Sequence, residues 1–341
     1  MDFETVALDD AAKEIVIIDQ TKLPGERRML RLSLPEEFYT AIYLLQVRGA
    51  PAIGVFAAFA IYLCACRIEH SDYESFYEEF CKQKEYLNSS RPTAVNLSWA
   101  LSRMDGVVRS HVSAPISAIL AALKEEALLI RKEDEDACRA IGENALTLLK
   151  PGFGLLTHCN AGQLATSRYG TATAAMYLGF ERGYDFHIYC DETRPLLQGA
   201  RLTAYELAAA GMDVTLQCDN MAASLMASGK IDAVLVGCDR VAANGDTANK
   251  IGTSMVATVA KHYGIPFYVC GPMSTIDSSI RTGADIPIEQ RKPEEVTDMW
   301  YEHRMAPDNI KVYNPAFDVT DHSLITAIIT ETGVFYPPYN F

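Results

Sequence analysis

Residues 155–166, LLTHCNAGQLAT, read as a short apolar strand, a polar turn and then the start of a helix. The same succession recurs in the rest of the chain. The apolar segments that predict strands are residues 154–157, 186–190, 213–217, 233–236 and 267–270, and the helical patterns lie at 171–178, 195–210, 221–228 and 253–263. Short apolar strands that alternate with helices predict an α/β fold whose parallel sheet is covered on both faces.

The chain before this region has a different pattern. Residues 4–26 alternate in the manner of short strands joined by a turn at Pro24-Gly25, and residues 35–149 form long helical segments rich in Ala and Leu. Lys150-Pro151-Gly152 then breaks the helical pattern. We therefore expect two domains, a smaller one of short strands plus helices over residues 1–149 and a parallel-sheet domain over residues 150–341.

Composition and charge narrow the functional class. The chain has 341 residues, of which 49% are hydrophobic and 22% charged, as in ordinary globular proteins. A formal net charge of -14 argues against nonspecific binding to nucleic acid or to an anionic membrane surface, but not against a small anionic substrate. The longest apolar run, residues 52–66, is shorter than the roughly 20 residues that span a bilayer, so we expect a buried helix.

Nine cysteines occur without the spacing of a metal site. There is no CxxC pair, and the seven histidines form no HExxH or HxH pair, so we expect no structural zinc. An odd cysteine count without a signal-peptide pattern predicts reduced thiols in a cytoplasmic protein.

The loops that follow the predicted strands are unusually polar. Residues 158–162 follow the first strand, residues 191–195 the second, and a long connection at residues 237–253 follows the fourth. Ligands of parallel sheets bind beyond the carboxyl ends of the strands, where these loops lie. The sequence therefore predicts a functional site at this edge.

Two residues in these loops are candidates for chemistry. Free cysteines are usually buried hydrophobes, but Cys159 follows a strand and precedes a helix, whose N-terminus favours a thiolate. Asp239 follows an apolar run, so we expect it to be partly desolvated and suited to general-acid work. The alternative is that Arg240 pairs with Asp239 and holds it ionised, whereas Cys190 and Cys238 are expected to pack as core.

Two arginines precede predicted helix starts. Arg48 lies in VRGAPAIG, where Pro51 suits a first helical turn, and Arg91 precedes Pro92-Thr93 in SSRPTAVNL. Helix N-termini beside a guanidinium favour anions. The alternative for each is an ordinary helix start with a surface arginine.

Nucleotide-binding motifs are absent from the sequence. Gly152-Phe153-Gly154 precedes its strand and lacks the third glycine, so it is not a dinucleotide fingerprint, and no GxxxxGK[ST] occurs.

Taken together, the motifs resemble those of the methylthioribose-1-phosphate isomerases of methionine salvage. The resemblance rests on VRGAPAIG, SRPTAVNL, THCNAG, DETRPLLQGARLTAYEL, GCDRVAANGDTANKIGT and VYNPAFDVT, in the family's order over nearly the whole chain. It implies a Rossmann-like C-terminal domain, a homodimer, and conversion of 5-methylthioribose 1-phosphate to 5-methylthioribulose 1-phosphate without a metal or nucleotide cofactor.

The resemblance also implies residue roles. Cys159 matches the family's catalytic cysteine and Asp239 its proton donor. The positions that match its substrate-binding residues are Arg48, Gly49, Ala50, Arg91, Gln198, Asn249 and Lys250.

Two departures from the family pattern bear on substrate choice. Gln163 stands where Ala commonly follows HCNAG, and Tyr205 stands where Trp is common. If either lines the pocket around C5, a 5-deoxyribose 1-phosphate would also fit, because loss of the thiomethyl contact costs only about 1–3 kcal/mol.

Two other functions are compatible with this resemblance. Regulatory subunits of the translation-initiation exchange factor have the same fold and bind without catalysing. A ribose-1,5-bisphosphate isomerase would need a second cationic pocket for its 5-phosphate, and no spare Arg or Lys cluster is evident for one.

Overall fold

The computed structural model describes residues 4–91 and 94–341. By packing, the chain divides into two compact units. The first contains the described residues up to Asp136 together with Gln163–Gly170, and the second contains Ala137–Gly162 and Thr171–Phe341. The domain boundary predicted between residues 149 and 150 is not tested by this division and stays a prediction.

The first unit combines a small antiparallel sheet with helices. Its strands, in the order β1-β2-β3, are Val6–Asp9, Glu14–Ile18 and Met29–Leu32. Its helices are α1 Pro35–Tyr43, α2 Ala50–Ala65, α3 Tyr73–Ser89, α4 Val95–Ser110 and, continuing into the second unit, α5 Ile116–Leu146.

Helix α2 is the centre of the first unit. Every residue from Ala52 to Ala65 is buried, and the helix packs against α3 and α4. This confirms the buried helix predicted from the apolar run. Among the described residues, no helix has the length and apolar character required to cross a bilayer.

The second unit is built on a seven-stranded sheet. Its strands in chain order are β4 Gly154–Thr157, β5 His187–Asp191, β6 Asp213–Gln217, β7 Ala233–Val236, β10 Phe267–Cys270, β13 Ala327–Thr330 and β14 Gly333–Phe335. The other strands of this unit, β8 Arg240–Ala242, β9 Thr247–Lys250, β11 Ile276–Asp277 and β12 Phe317–Thr320, form a separate sheet. The order across the sheet is β14-β13-β10-β7-β4-β5-β6, and all neighbours except β13 and β14 are parallel. Counted along the chain, the six parallel strands have the order 3-2-1-4-5-6 of a doubly wound, Rossmann-like fold. The α/β prediction is therefore confirmed.

The helices of the second unit connect these strands. They are α6 Ala174–Glu181, α7 Ala204–Ala209, α8 Ala222–Ala227, α9 Thr253–Tyr263 and α10 Glu294–Thr297. Helix α9 matches its prediction residue for residue. The helix predicted over residues 195–210 is a π-helix at Gly199–Thr203 that continues into α7.

A four-stranded sheet in this unit was not predicted. It has the order β11-β8-β9-β12, with β8 Arg240–Ala242, β9 Thr247–Lys250, β11 Ile276–Asp277 and β12 Phe317–Thr320. The interpretation of residues 237–253 as one long connection was therefore wrong. These strands are too short and too polar to show a period of two, and their outer partners come from distant parts of the chain.

Candidate active site

The turns that carry Cys159 and Asp239 follow neighbouring strands. Cys159 comes two residues after β4, and Asp239 comes three residues after β7, which pairs with β4 in the centre of the sheet. The two turns touch, because a Cβ placed on Gly237 would lie only 2.6 Å from the Cβ of Ala161. Strands β4 and β7 also flank the point where the strand order reverses, which is where ligands bind in doubly wound sheets.

The backbone of Cys159 is held in a rarely populated conformation. Its φ of 65° lies in the left-handed region, and its side chain is buried, with the residue 9% exposed. Its N–H donates to Thr193 Oγ1 at 2.8 Å, and its carbonyl accepts from Thr203 Oγ1 at 2.6 Å. A non-glycine residue fixed in this way is common at functional sites, where the surrounding structure compensates for the strain. This geometry distinguishes Cys159 from an ordinary core cysteine.

The segment after β5 wraps around this turn. Thr193 and Leu197 also have positive φ, of 64° and 56°, and the π-helix begins immediately after Gln198. π-Helical turns are frequent at functional sites. Gln198 is 7% exposed, and its buried Oε1 has no hydrogen-bond partner among the described residues. Such an acceptor fits a residue whose partner is a ligand hydroxyl.

Asp239 is more exposed than expected. Arg240 donates from Nη1 to Asp277 Oδ2 at 2.8 Å, so Asp277 is a partner of Arg240. Asp239 itself is exposed, so the prediction that the protein desolvates it was wrong. The apolar run before it is β7, which ends at Val236, and Asp239 lies beyond the buried part of that strand.

Asn249 and Lys250 lie next to Asp239 on the adjacent strand. The backbone N–H of Asp239 donates to the carbonyl of Ala248 on β9, which ends at Lys250. Asn249 is buried and donates from Nδ2 to Thr253 Oγ1 at 3.1 Å, whereas the Lys250 ammonium lies 4.5 Å from the ring centre of Phe317. The second unit thus brings Cys159, Asp239, Asn249 and Lys250 to one edge of the sheet.

Of the two neighbouring cysteines, Cys190 is a core residue, as expected, whereas Cys238 is partly buried and packs against the core. Cys190 is fully buried at the end of β5, and burial raises the pKa of its thiol well above the ordinary value. Burial likewise raises the pKa of the Cys238 thiol to about 12. Neither thiol ionises in the neutral range.

The other predicted site residues belong to the first unit. Helix α2 begins at Ala50, as VRGAPAIG predicted, with partly buried Arg48 and Gly49 before it. Gly49 has a φ of +92°, and a Cβ there would lie 2.5 Å from the backbone of Ala165. Arg91 is partly buried, and Pro92-Thr93, predicted to lead into a helix, lies outside the described residues.

The two departures from the family pattern occupy different environments. Gln163 is 6% exposed, and its carbonyl accepts a 2.6 Å hydrogen bond from Thr5 Oγ1 in the first unit. Tyr205 is partly buried on α7 in the second unit.

Sequence reasoning missed a buried pair next to Cys159. His158 and Asp191 are both fully buried, and His158 Nδ1 lies 2.9 Å from Asp191 Oδ2. The signal available was their placement, because each stands at the carboxyl end of one of two adjacent strands.

Comparison with known proteins identifies the family. Residues 46–337 match the Initiation factor 2 subunit family. The chain belongs to this family. Relatives with enzyme names cover nearly its whole length. It is 65% identical over 336 residues to the methylthioribose-1-phosphate isomerase of Symbiobacterium thermophilum, covering 98% of this chain and 94% of that one. It is 56% identical over 334 residues to the 5-deoxyribose 1-phosphate isomerase of Petrotoga mobilis, covering 98% and 96%.

Solved structures of this family have the same architecture. One is the 5-methylthioribose 1-phosphate isomerase of Pyrococcus horikoshii OT3, with a TM-score of 0.94, 45% identity and coverage of 98% of this chain and 93% of that one. Another is the translation initiation factor eIF-2B, subunit delta, from A. fulgidus, with a TM-score of 0.91, 41% identity and coverage of 99% of this chain and 97% of that one. The family therefore includes proteins named as enzymes and proteins named as initiation-factor subunits.

Proposed function

We propose that this protein, an aldose–ketose isomerase, converts 5-methylthioribose 1-phosphate to 5-methylthioribulose 1-phosphate in methionine salvage. The observation that carries the proposal is the meeting of the Cys159 and Asp239 turns at the ligand-binding edge of the parallel sheet. A cysteine and a carboxylic acid beside an ammonium group supply the proton-transferring and anion-binding groups that such a reaction needs.

The roles divide between catalysis and binding. In the proposal, Cys159 and Asp239 are the catalytic residues, and substrate is bound by Arg48, Gly49, Ala50, Arg91, Gln198, Asn249 and Lys250. The N-terminus of α2 and the charge of Arg48 suit a phosphate, because exposed backbone N–H groups and a guanidinium both stabilise anions. The unpartnered Oε1 of Gln198 suits a sugar hydroxyl.

The substrate imposes a chemical constraint on the mechanism. Its C1 oxygen carries the phosphate, so the ring cannot open by the free-aldehyde route. Asp239 donates a proton to the ring oxygen while the bond from C1 to that oxygen breaks. The hydrogen on C2 then moves to C1, and the C2 hydroxyl gives its proton to the Asp239 carboxylate as the C2 ketone forms, which restores the acid. The substrate, once bound, supplies the desolvation of Asp239 that the protein alone does not.

The hydrogen on C2 can reach C1 by either of two routes. As a hydride it passes directly to C1. As a proton it leaves to a base, for which the Cys159 thiolate is the candidate, and a proton then adds to C1. Isomerisation in deuterium oxide distinguishes the routes, because only proton transfer through an exchanging base incorporates deuterium at C1.

The substrate range is expected to include 5-deoxyribose 1-phosphate. The two sugars differ only in the thiomethyl group at C5, whose contact is worth about 1–3 kcal/mol, or roughly 10- to 200-fold in kcat/KM. The test is a side-by-side kcat/KM for ribose 1-phosphates carrying methylthio, deoxy or phosphate at C5. We expect turnover of the first two. Preference for the bisphosphate would assign the protein to a different isomerase reaction.

A non-catalytic binding subunit is the second candidate function. It is favoured by the family match and by the structural likeness to an initiation-factor subunit. Cys159, Asp239, Arg48, Arg91 and Lys250 occur together in this chain, and a pure interaction module does not require this set. Absence of ketose from every aldose 1-phosphate offered to the purified protein would favour the binding subunit.

We further propose that the enzyme is a homodimer of the cytoplasm. Reduced thiols support the compartment, since no disulfide joins the cysteines of the described residues. Light scattering should give a mass of about 75 kDa, twice the 37.6 kDa of one chain.

A further inference from the structure

His158 is fully buried, and both of its ring nitrogens face oxygen atoms. Nδ1 lies 2.9 Å from Asp191 Oδ2, and Nε2 lies 2.8 Å from the carbonyl oxygen of Ile251. A carbonyl oxygen can only accept, so Nε2 carries a proton. A second proton lies between Nδ1 and Asp191, whose other oxygen accepts from Gln217 Nε2 at 2.8 Å.

We propose that His158, paired with Asp191, is a positioning residue that fixes the Cys159 turn through a closed ring of hydrogen bonds. The imidazole holds the Asp191 side chain, and the backbone carbonyl of Asp191 accepts from Thr193 Oγ1 at 3.1 Å. Thr193 Oγ1 in turn accepts the N–H of Cys159, which is joined to His158 by a peptide bond. The ring therefore ties the ends of β4 and β5 together at the candidate catalytic cysteine.

A second link anchors the imidazole to the turn after β9. The carbonyl that Nε2 contacts belongs to Ile251, the residue that follows Lys250. The ring also packs against Gly252, where a Cβ would lie 2.9 Å from the imidazole Cε1. The imidazole is thus held on two sides, by Asp191 at the end of β5 and by Ile251 in the turn after β9.

The charges around His158 favour retention of both protons. Burial alone would lower its pKa, but the hydrogen bond and charge of Asp191, together with Asp219 and the Ile251 carbonyl, outweigh burial and raise the pKa. Burial also raises the pKa of Asp191. Asp318 faces the same region and accepts from the N–H groups of Gly252 and Ser254. Both directions favour a proton shared between Nδ1 of His158 and the carboxyl group of Asp191.

Metal binding does not account for this cluster. His158, Asp191 and Asp219 bring ligand-type atoms close together. However, Asp219 accepts the backbone N–H groups of Thr193 and Arg194 through its two oxygens, and both imidazole nitrogens are engaged. Each of these nitrogen and oxygen atoms already makes a hydrogen bond within the protein.

The test compares His158→Gln and Asp191→Asn with His187→Gln. His187 pairs with Asp213 at the amino ends of β5 and β6, is exposed, and is therefore a matched control at the opposite edge. For the folded His158→Gln and Asp191→Asn enzymes we expect kcat to fall about 10- to 100-fold, the cost of a misplaced catalytic group, with KM changed less than about threefold. The control should behave as the wild type. If His158→Gln does not fold, Asp191→Asn decides.

A double variant separates positioning from a general structural effect. The His158→Gln/Asp191→Asn double variant should lose no more kcat than the worse single variant, because both act through one ring. If the kcat loss of the double variant equals the product of the two single losses, the proposal is overturned. A folded His158→Gln enzyme with wild-type kcat would also overturn it.

The inference rests on the proposed role of Cys159, and one readout does not depend on activity. Iodoacetamide labelling of Cys159, followed by mass spectrometry, should be faster in His158→Gln than in the wild type and the control, because the turn is released. If the wild type isomerises no aldose 1-phosphate, the proposed function fails, whereas the labelling rate still decides the positioning role. An unchanged rate would refute it.

Discussion

The hydroxyl of Thr203 makes two hydrogen bonds to the Cys159 turn. It donates to the carbonyl of Cys159 at 2.6 Å and accepts from Asn160 Nδ2 at 3.0 Å. Thr203 also lies in the π-helix, so it joins the irregular helix to the irregular turn. The side chain is fully buried, which makes the hydroxyl costly to remove.

Thr203→Val should therefore lower both stability and turnover. The variant keeps the volume but removes both hydrogen bonds, at a cost of about 1–3 kcal/mol. We expect kcat to fall about tenfold or more because the turn shifts. Thr203→Ser keeps the hydroxyl and is the control, measured by denaturant unfolding and initial rates. Wild-type kcat in Thr203→Val would show that this hydroxyl does not position the turn.

The carboxyl group of Asp246 makes the free energy of unfolding depend on pH. Burial alone would raise the pKa of its carboxyl, but hydrogen bonds from Asn244, Gly283 and His322 outweigh burial and lower the pKa to about 2. Because the folded-state pKa is depressed, the stabilisation is present above the ordinary value near 4 and is lost as pH falls towards 2.

Asp246→Asn should cost about 2 kcal/mol of unfolding free energy at pH 7, and the difference from the wild type should shrink below pH 4. Urea unfolding between pH 7 and 2.5 measures this difference. Asp321→Asn, which removes an exposed carboxylate beside the same cluster, should change the free energy little. A difference that stays constant with pH would contradict the assignment.

At the scale of elements, the entry to helix α2 depends on a glycine. Gly49 combines a φ of +92° with close approach to Ala165, so a side chain there is strained and also collides with backbone. Gly49→Ala should destabilise the protein by about 2 kcal/mol or more and disturb the Arg48 site. Gly106 lies in α4 with open space around it, and Gly106→Ala should instead stabilise by up to about 1 kcal/mol. Thermal unfolding of both variants checks the assignment. Tm should fall in Gly49→Ala and rise in Gly106→Ala, and equal shifts in Tm would refute the assignment.

Five strands of the seven-stranded sheet were predicted from the sequence, whereas β13, β14 and the strands of the smaller sheet were not. β4, β7 and β10 are short apolar runs in which every residue is buried, which is a strong local signal. β8 and β11 are only a few residues long, and β11 is paired across more than thirty residues, so their pairing depends on tertiary structure.

The candidate site shows the same division. The residues after strands were found because topology places strand ends together, and Cys159 and Asp239 follow this rule. The local sequence did not predict that Asp239 is exposed, because its exposure depends on where β7 ends. It also did not predict that His158 pairs with Asp191, because this pair depends on which strands are neighbours in the sheet.

At the scale of the whole molecule, the chain combines a net charge of -14 with an anionic substrate class. Binding must then come from local donors, and the candidates are cationic side chains and helix N-termini, whose effect is short-ranged. The first unit carries Arg48 and Arg91, and the second carries Cys159, Asp239 and Lys250. The family match covers both units, and the enzyme relatives cover both as well.

The most direct test of the account is the turnover of 5-methylthioribose 1-phosphate by Asp239→Asn. Asparagine keeps the shape and cannot donate an acidic proton, so kcat should fall about 100-fold or more while substrate binding, measured by calorimetry, persists. Asp213→Asn removes an exposed carboxylate at the opposite edge of the sheet and should retain wild-type kcat. An Asp239→Asn enzyme that binds substrate and turns it over at the wild-type rate would contradict the central claim.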